Sequence, residues 1–327
     1  MFLRIITVLA CFFIFQLSAY AAAPLKVFVS IIPQKYFVQQ IGKDHVNVQV
    51  MVQPGANPAT YEPKPRQMAA ISKTDLYFSI GVPFENTWLK KISAANPRMK
   101  VIHTDHGIKK IAMVAHHHDE EEKDHGEDHG HGSHKEHGDH HAHESSHGHG
   151  DHHDGAGHEE DHHDHSGPDP HIWLSPKLVK IQAETMLKAL QAADPANKKA
   201  YEANFNAFIV KIDTLDQELK QIFAGKKGFQ FMVFHPAWGY LADAYGLKQV
   251  PIEVEGKDPK PAQLKKLIKH ARKEGIRVVF VQPQFSTKSA QTIASEIGGQ
   301  VAFANPLAED WMANLRMIAE KFRDALK

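Results

Sequence analysis

Two hydrophobic rhythms alternate along the chain. Short, nearly continuous apolar runs, of the kind buried strands carry, give way to stretches where apolar residues return every three or four positions, as on one helix face. From Leu25 onward the runs predict strands over 25–31, 46–52, 76–80 and 100–102, separated by helices over 33–41, 67–72 and 84–94. The segment QPGANPATYEPKPRQ, dense in proline and glycine, breaks the chain after the second strand. A helix over 176–192 follows, then a longer one over 196–224, in which Tyr201, Phe205, Phe208, Ile212, Leu215, Leu219 and Ile222 keep a single apolar stripe. At about 29 residues the longer one would be a rod of roughly 43 Å. The alternation then resumes, with strands over 229–234, 248–254, 278–281 and 300–304 and helices over 237–245, 262–274, 288–297 and 310–326. The expected fold class is α/β: two lobes, each a mainly parallel sheet flanked by helices, joined by one long backbone helix. Ligands in such sheets sit beyond the carboxyl ends of the strands, which directs attention to a cleft between the lobes.

The rhythm is interrupted once. Between His116 and His165 the chain carries 19 of its 25 histidines, mixed with Asp, Glu, Gly and Ser and almost no apolar side chains. Such a stretch cannot form a packed core and is expected to be a disordered insertion over 115–167. Imidazoles interspersed with carboxylates suit Zn, Cu and Ni, so the tract reads as a weak, multi-site transition-metal binder. Below about pH 6 its histidines become cationic and lose that affinity.

The first 21 residues have the layout of a secretory signal: Arg4, the apolar run Ile5 to Leu17, and the small-x-small site Ala19-Tyr20-Ala21. The single cysteine, Cys11, would leave with the leader, in keeping with an exported, periplasmic protein that has no disulfide. The competing reading makes the chain a lipoprotein, with Cys11 acylated after Val8-Leu9-Ala10. The expected division is therefore 1–21 signal peptide, 22–194 N-terminal lobe with the insertion, 195–226 linking helix and 227–327 C-terminal lobe. Lysine plus arginine equals aspartate plus glutamate at 38 each, and no basic stripe with interleaved aromatics occurs, which argues against a nucleic-acid partner. Outside the low-complexity His-rich tract no HExxH pattern or nucleophile motif is present, so an enzyme is not expected. Nothing suggests more than a monomer.

Several predicted strands end on side chains able to hold a metal. His235 follows 229–234, His103 follows 100–102, and Asn305 follows 300–304. His171 stands in Asp169-Pro170-His171-Ile172-Trp173, at the entry to a helix, and Glu62 lies in the segment after 46–52. One such residue alone is an ordinary loop residue; several delivered to one cleft suit a bound ion.

PGANPATYEPKPRQM (54–68), DPHIWLSP (169–176), VFHPAWGYLADAYGL (233–247), IEVEGKDPKP (252–261), VFVQPQFS and ANPLAEDW together resemble the periplasmic metal receptors (cluster A-I solute-binding proteins) of zinc and manganese ABC importers. The likeness spans essentially the whole chain after the leader. A His/Asp/Glu-rich insertion before the DPH motif is typical of the zinc-uptake, ZnuA-like branch. The resemblance implies two α/β lobes on a rigid backbone helix, Zn2+ as transported ligand, and an inner-membrane ABC permease as partner, with the His-rich loop a low-affinity collector or sensor. It implies His171 and His235 as metal ligands, the latter often Glu in manganese-type receptors. Two positions depart from the family pattern: Ala59 stands where a first histidine ligand is usual, and Asn305 where an aspartate is usual. His103 or His106, Glu62 or a tract histidine, or water are the candidates for the vacancy. The alternatives are a Mn2+ or Fe2+ receptor of the same fold, and a periplasmic metal buffer working through the tract.

Overall fold

The computed structural model describes residues 23–113, 167–254 and 256–326. The expected leader, Cys11 and the His-rich run 116–165 lie outside these residues. In the first half the strands β1 (Leu25–Val29), β2 (Val46–Val50), β3 (Leu76–Ser79) and β4 (Lys100–His103) form a parallel sheet in the order β2-β1-β3-β4. Helices α1 (Ile32–Gly42), α2 (Pro65–Ile71) and α3 (Pro83–Ala95) make its crossovers, and α4 (Pro176–Ala193) follows. The helix α5 (Lys198–Ile222) then leads to a second sheet of β5 (Gln230–Val233), β6 (Lys248–Pro251), β7 (Val278–Val281) and β8 (Gln300–Phe303), ordered β6-β5-β7-β8 and again parallel throughout. Its helices are α6 (Gly239–Tyr245), α7 (Pro261–Lys273), α8 (Lys288–Glu296) and α9 (Trp311–Ala325). The α/β architecture of two flanked parallel sheets is thus the one the hydrophobic rhythm predicts. The expected 29-residue rod is shorter, at 25 residues.

Local chemistry explains where these helices start. Pro65, Pro83, Pro176 and Pro261 each occupy the first helical position, where a missing N–H costs nothing and φ is already helical. The α6 helix ends at Gly246, whose φ of 71° is the left-handed cap that glycine adopts without strain. In α1, Gln34 reaches back: its Oε1 accepts from the backbone N–H of Ser30 and Ile31, while its Nε2 donates to Ser79 O and Thr104 Oγ1. One buried amide therefore ties together the carboxyl ends of β1, β3 and β4.

The two sheets share a core. A continuous apolar cluster runs from the first sheet through α4, α5 and α9 to one face of the second sheet, while a smaller cluster lies under α7 and α8. Helix α9 belongs to both halves. At its start Trp311 packs edge-on against Phe37 of α1, with ring centroids 5.1 Å apart, and near its end Phe322 packs on Phe231 and Phe280 of β5 and β7. Two indoles extend this tie: Trp311 Nε1 donates to Trp173 O at 2.7 Å, and Trp173 Nε1 donates to Pro306 O at 2.8 Å. Both rings are fully buried. The lobes are therefore joined by packing as well as by α5. No helix among the described residues is long and apolar enough to cross a membrane.

Candidate metal centre

Both sheets reverse their winding at the middle pair, β1–β3 and β5–β7, and the loops leaving the carboxyl ends face a common cavity of about 380 Å3. Asn57 to Ala59 reach it after β2, and Val82 and Pro83 after β3. From the other lobe come His235 after β5, Glu253 after β6, Phe285 after β7 and Leu307 after β8. His171 and Trp173 enter from the segment between β4 and α4.

His171 is held by its own motif. Asp169 Oδ1 accepts from the backbone N–H of His171 at 2.8 Å, an Asx turn that Asp-Pro-His favours, and from His171 Nδ1 at 2.7 Å. The segment before it is pinned in turn. Asp169 N donates to Ile111 O, and Tyr240 Oη donates to Asp169 O at 2.9 Å while accepting from Ile111 N. Burial pushes the Tyr240 phenol up to about 12, so it stays a donor. Burial also depresses the His171 imidazole from its ordinary value, against the opposing pull of the Asp169 carboxylate, which favours the neutral ligand form.

His235 is held differently. Buried Gln282, just past β7, grips its backbone on both sides: Oε1 accepts from His235 N at 3.2 Å and Nε2 donates to His235 O at 2.6 Å. The ring stacks on Phe285, with centroids 4.9 Å apart and planes 22° from parallel. Its Nδ1 pairs with Glu253 Oε1 at 2.7 Å. Each imidazole thus gives its Nδ1 proton to a buried carboxylate, which leaves the lone pair on Nε2. The two ring centroids stand 5.2 Å apart. Two imidazoles bound through nitrogen at about 2.0–2.1 Å to one tetrahedral ion would place their centres about 5 Å apart.

The remaining sequence candidates do not join this pair. His103 closes β4 as an exposed residue, its Nδ1 at 3.0 Å from Ser79 Oγ, and it does not line the cavity. His106 is exposed in the next turn. Glu62 faces solvent beside buried Tyr61, because the strand-like alternation there turns the tyrosine inward. Asn305 points its amide oxygen at the N–H of Leu307 (3.0 Å) and toward Gln284 Nε2 (3.4 Å), and it lines a separate cavity beyond Leu307. Its side chain caps a turn instead of facing the histidines. Ala59 does line the cavity, with its N–H bonded to Asn57 Oδ1 at 2.8 Å, and so offers a methyl group where a ligand could stand. Among the described residues no group of three or more His, Cys, Asp or Glu side chains is arranged to hold a metal.

The sequence profile described as ZnuA, zinc-uptake complex component A, periplasmic, matches residues 27–325. The chain belongs to the ZnuA family. It is similar to the high-affinity zinc uptake system protein ZnuA of Bacillus subtilis (strain 168), 31% identical over 293 residues that cover 86% of this chain and 78% of the relative. It is 26% identical over 313 residues to the zinc-binding protein AdcA of Streptococcus pyogenes, of which it spans about half the length, 55%. A crystal structure of a ZnuA lacking residues 138–173 of its own chain, with zinc bound, is 39% identical, covers 93% of this chain and superposes with a TM-score of 0.75.

Two neighbours of His235 escaped the sequence reading. Glu253 and Gln282 lie 18 and 47 positions beyond His235 and meet it only because β6 and β7 flank β5. Their only sequence signal was a place at a strand end. Asp169, by contrast, stands only two residues before His171, within the motif that the sequence singled out for its histidine, so its contact is local.

Proposed function

We propose that this ZnuA-family chain captures Zn2+ in the cleft between its lobes and delivers it to an inner-membrane ABC permease. One observation carries the reading: His171 and His235, from opposite lobes, present their Nε2 lone pairs to one cavity with rings 5.2 Å apart, each oriented by a buried carboxylate. Nitrogen donors in a bent arrangement suit zinc better than the oxygen-rich sites of Mn2+ or Fe2+. Capture of this kind involves no bond chemistry, in keeping with a receptor and not an enzyme. The zinc-binding relatives support the choice of ion. The leader supports export to the periplasm.

The tract enters this reading through its attachment points. Met113 and Gly167, which flank it, both line the cavity, and Met113 N donates to Gly167 O at 3.2 Å. A His-rich segment rooted there raises the local concentration of zinc at the cleft, which suits a low-affinity collector. The same observation, with the absence of a three-ligand group among the described residues, supports the second reading of a metal buffer.

A zinc titration against a competing chelator separates the two, using mature protein lacking 116–165, with and without His171→Ala and His235→Ala. The receptor reading expects one tight equivalent that disappears in the double variant. No tight equivalent in the deletion protein would overturn it in favour of the buffer.

A further inference from the structure

The cavity is larger than a single ion needs. His171 and His235 already stand at the spacing one ion bridges, with ring centroids 5.2 Å apart, yet about 380 Å3 remains open beside them. A water takes about 30 Å3 in the liquid, so the space would hold on the order of ten, whereas a tetrahedral ion on two imidazoles carries two. Such a volume falls within the range of small-molecule sites, roughly 300–1,000 Å3, which are mostly apolar with a few polar groups. The lining is of that kind. Pro58, Val82, Trp173, Phe285 and Leu307 come from both lobes and offer no side-chain ligand, while Asn57 and Gln284 add amides. Ala59 contributes a methyl group, and among the described residues no third His, Cys, Asp or Glu completes a metal-holding group. Waters on an ion held here would face hydrocarbon on several sides, where their hydrogen bonds go unmet.

Resting on the zinc reading above, we propose that the cleft takes zinc as a chelate. The ion enters with a small bidentate aminocarboxylate that has an apolar body, of which an α-amino acid such as leucine is the simplest. The amine nitrogen and one carboxylate oxygen of the chelator fill the two positions that His171 and His235 leave open, and two waters depart from the ion. The apolar body displaces water from between the apolar walls. The ion is then four-coordinate without a third protein ligand, and the small side chain at Ala59 leaves room for the chelator.

The test is equilibrium dialysis of the full chain against radiolabelled L-leucine, with and without one equivalent of zinc. Glycine has the same chelating head without the apolar body, and N-acetyl-L-leucine has the body without the amine donor. The expected result is one leucine retained per chain only when zinc is present. Glycine should be retained about 10- to 100-fold more weakly, the difference an isobutyl group makes on burial, and N-acetyl-L-leucine not at all. The double variant His171→Ala with His235→Ala should lose the leucine although it keeps the His-rich tract. Ala59→His, which puts an imidazole on the cavity wall, should bind zinc and exclude leucine. Thermal midpoints report whether each variant folds. Leucine that only withdraws zinc from a tight site dependent on His171 and His235 would overturn the chelate and leave the zinc reading standing. Leucine retained equally by the double variant would assign it to the tract and overturn the chelate too. A tight zinc equivalent that survives the double variant would instead overturn the zinc reading, and this proposal with it.

Discussion

Replacing Trp311 with phenylalanine should loosen the joint between the lobes. Trp311 is 1% exposed, and its indole N–H is the donor to Trp173 O across the interface. Phenylalanine leaves that buried carbonyl without this donor, a cost of about 1–3 kcal/mol. Shrinking the ring also removes packing against Phe37, worth roughly 1–2 kcal/mol for the atoms lost and the space they leave. The expected destabilisation is about 2–5 kcal/mol, a large share of the stability of an ordinary domain. Urea unfolding of the metal-free protein, followed by circular dichroism, would read it as a lowered midpoint at unchanged slope. Met317→Ala is the control, since Met317 lies on the same helix but is 45% exposed, and it should shift stability by no more than about 0.5 kcal/mol. A Trp311→Phe protein as stable as this control would refute the view that the paired indoles hold the lobes together.

Two further outcomes follow from the site and its support. A Cβ at Gly239 would stand 2.8 Å from Asp169 Oδ2 and 3.4 Å from Ile111 Cδ1, so Gly239→Ala should push the carboxylate off His171 and weaken zinc binding about 10- to 100-fold; unchanged binding by chelator competition would refute that coupling. Buried Glu85 accepts from the N–H groups of Ile80 and Gly81, and burial raises its pKa despite those bonds. With the folded value above the unfolded one, its contribution to stability is whole below the unfolded pKa and is lost as pH rises through the folded pKa. Glu85→Gln removes that titration, so its stability relative to wild type should improve as pH rises above the ordinary carboxylate range, by about 1.4 kcal/mol for each unit of displacement. Parallel urea midpoints across that rise would count against it.

How much of this was legible in the chain follows from how far apart the interacting residues lie. The α/β class, the order of strands and helices and the long α5 were readable because each rests on the period of apolar residues within one element. Element ends were less so. The 248–254 run closes as a strand at Pro251, where pairing with β5 stops and Ile252 and Glu253 bond back to Phe234. His171 was legible in its Asp-Pro-His motif, and the Asp169 partner that the structure gives it lies within the same local turn. His235 was legible as a strand-end histidine before proline.

The sequence by itself determined that there would be two parallel sheets, that loops carrying candidate ligands would leave their carboxyl ends, and that a histidine would stand on a loop of each lobe. Those are consequences of periodicity and turn chemistry acting over a few residues. Only the tertiary structure decided which of the candidates meet. His103, Glu62 and Asn305 occupy strand ends or adjoining loops as plausible as the others, yet Ser79, solvent and the Leu307 turn claim them. Glu253 and Gln282 reach His235 through the neighbours that β5 acquires in its sheet. Strand order and side-chain direction are set by the packing of the whole core, and no local pattern in the chain encodes them.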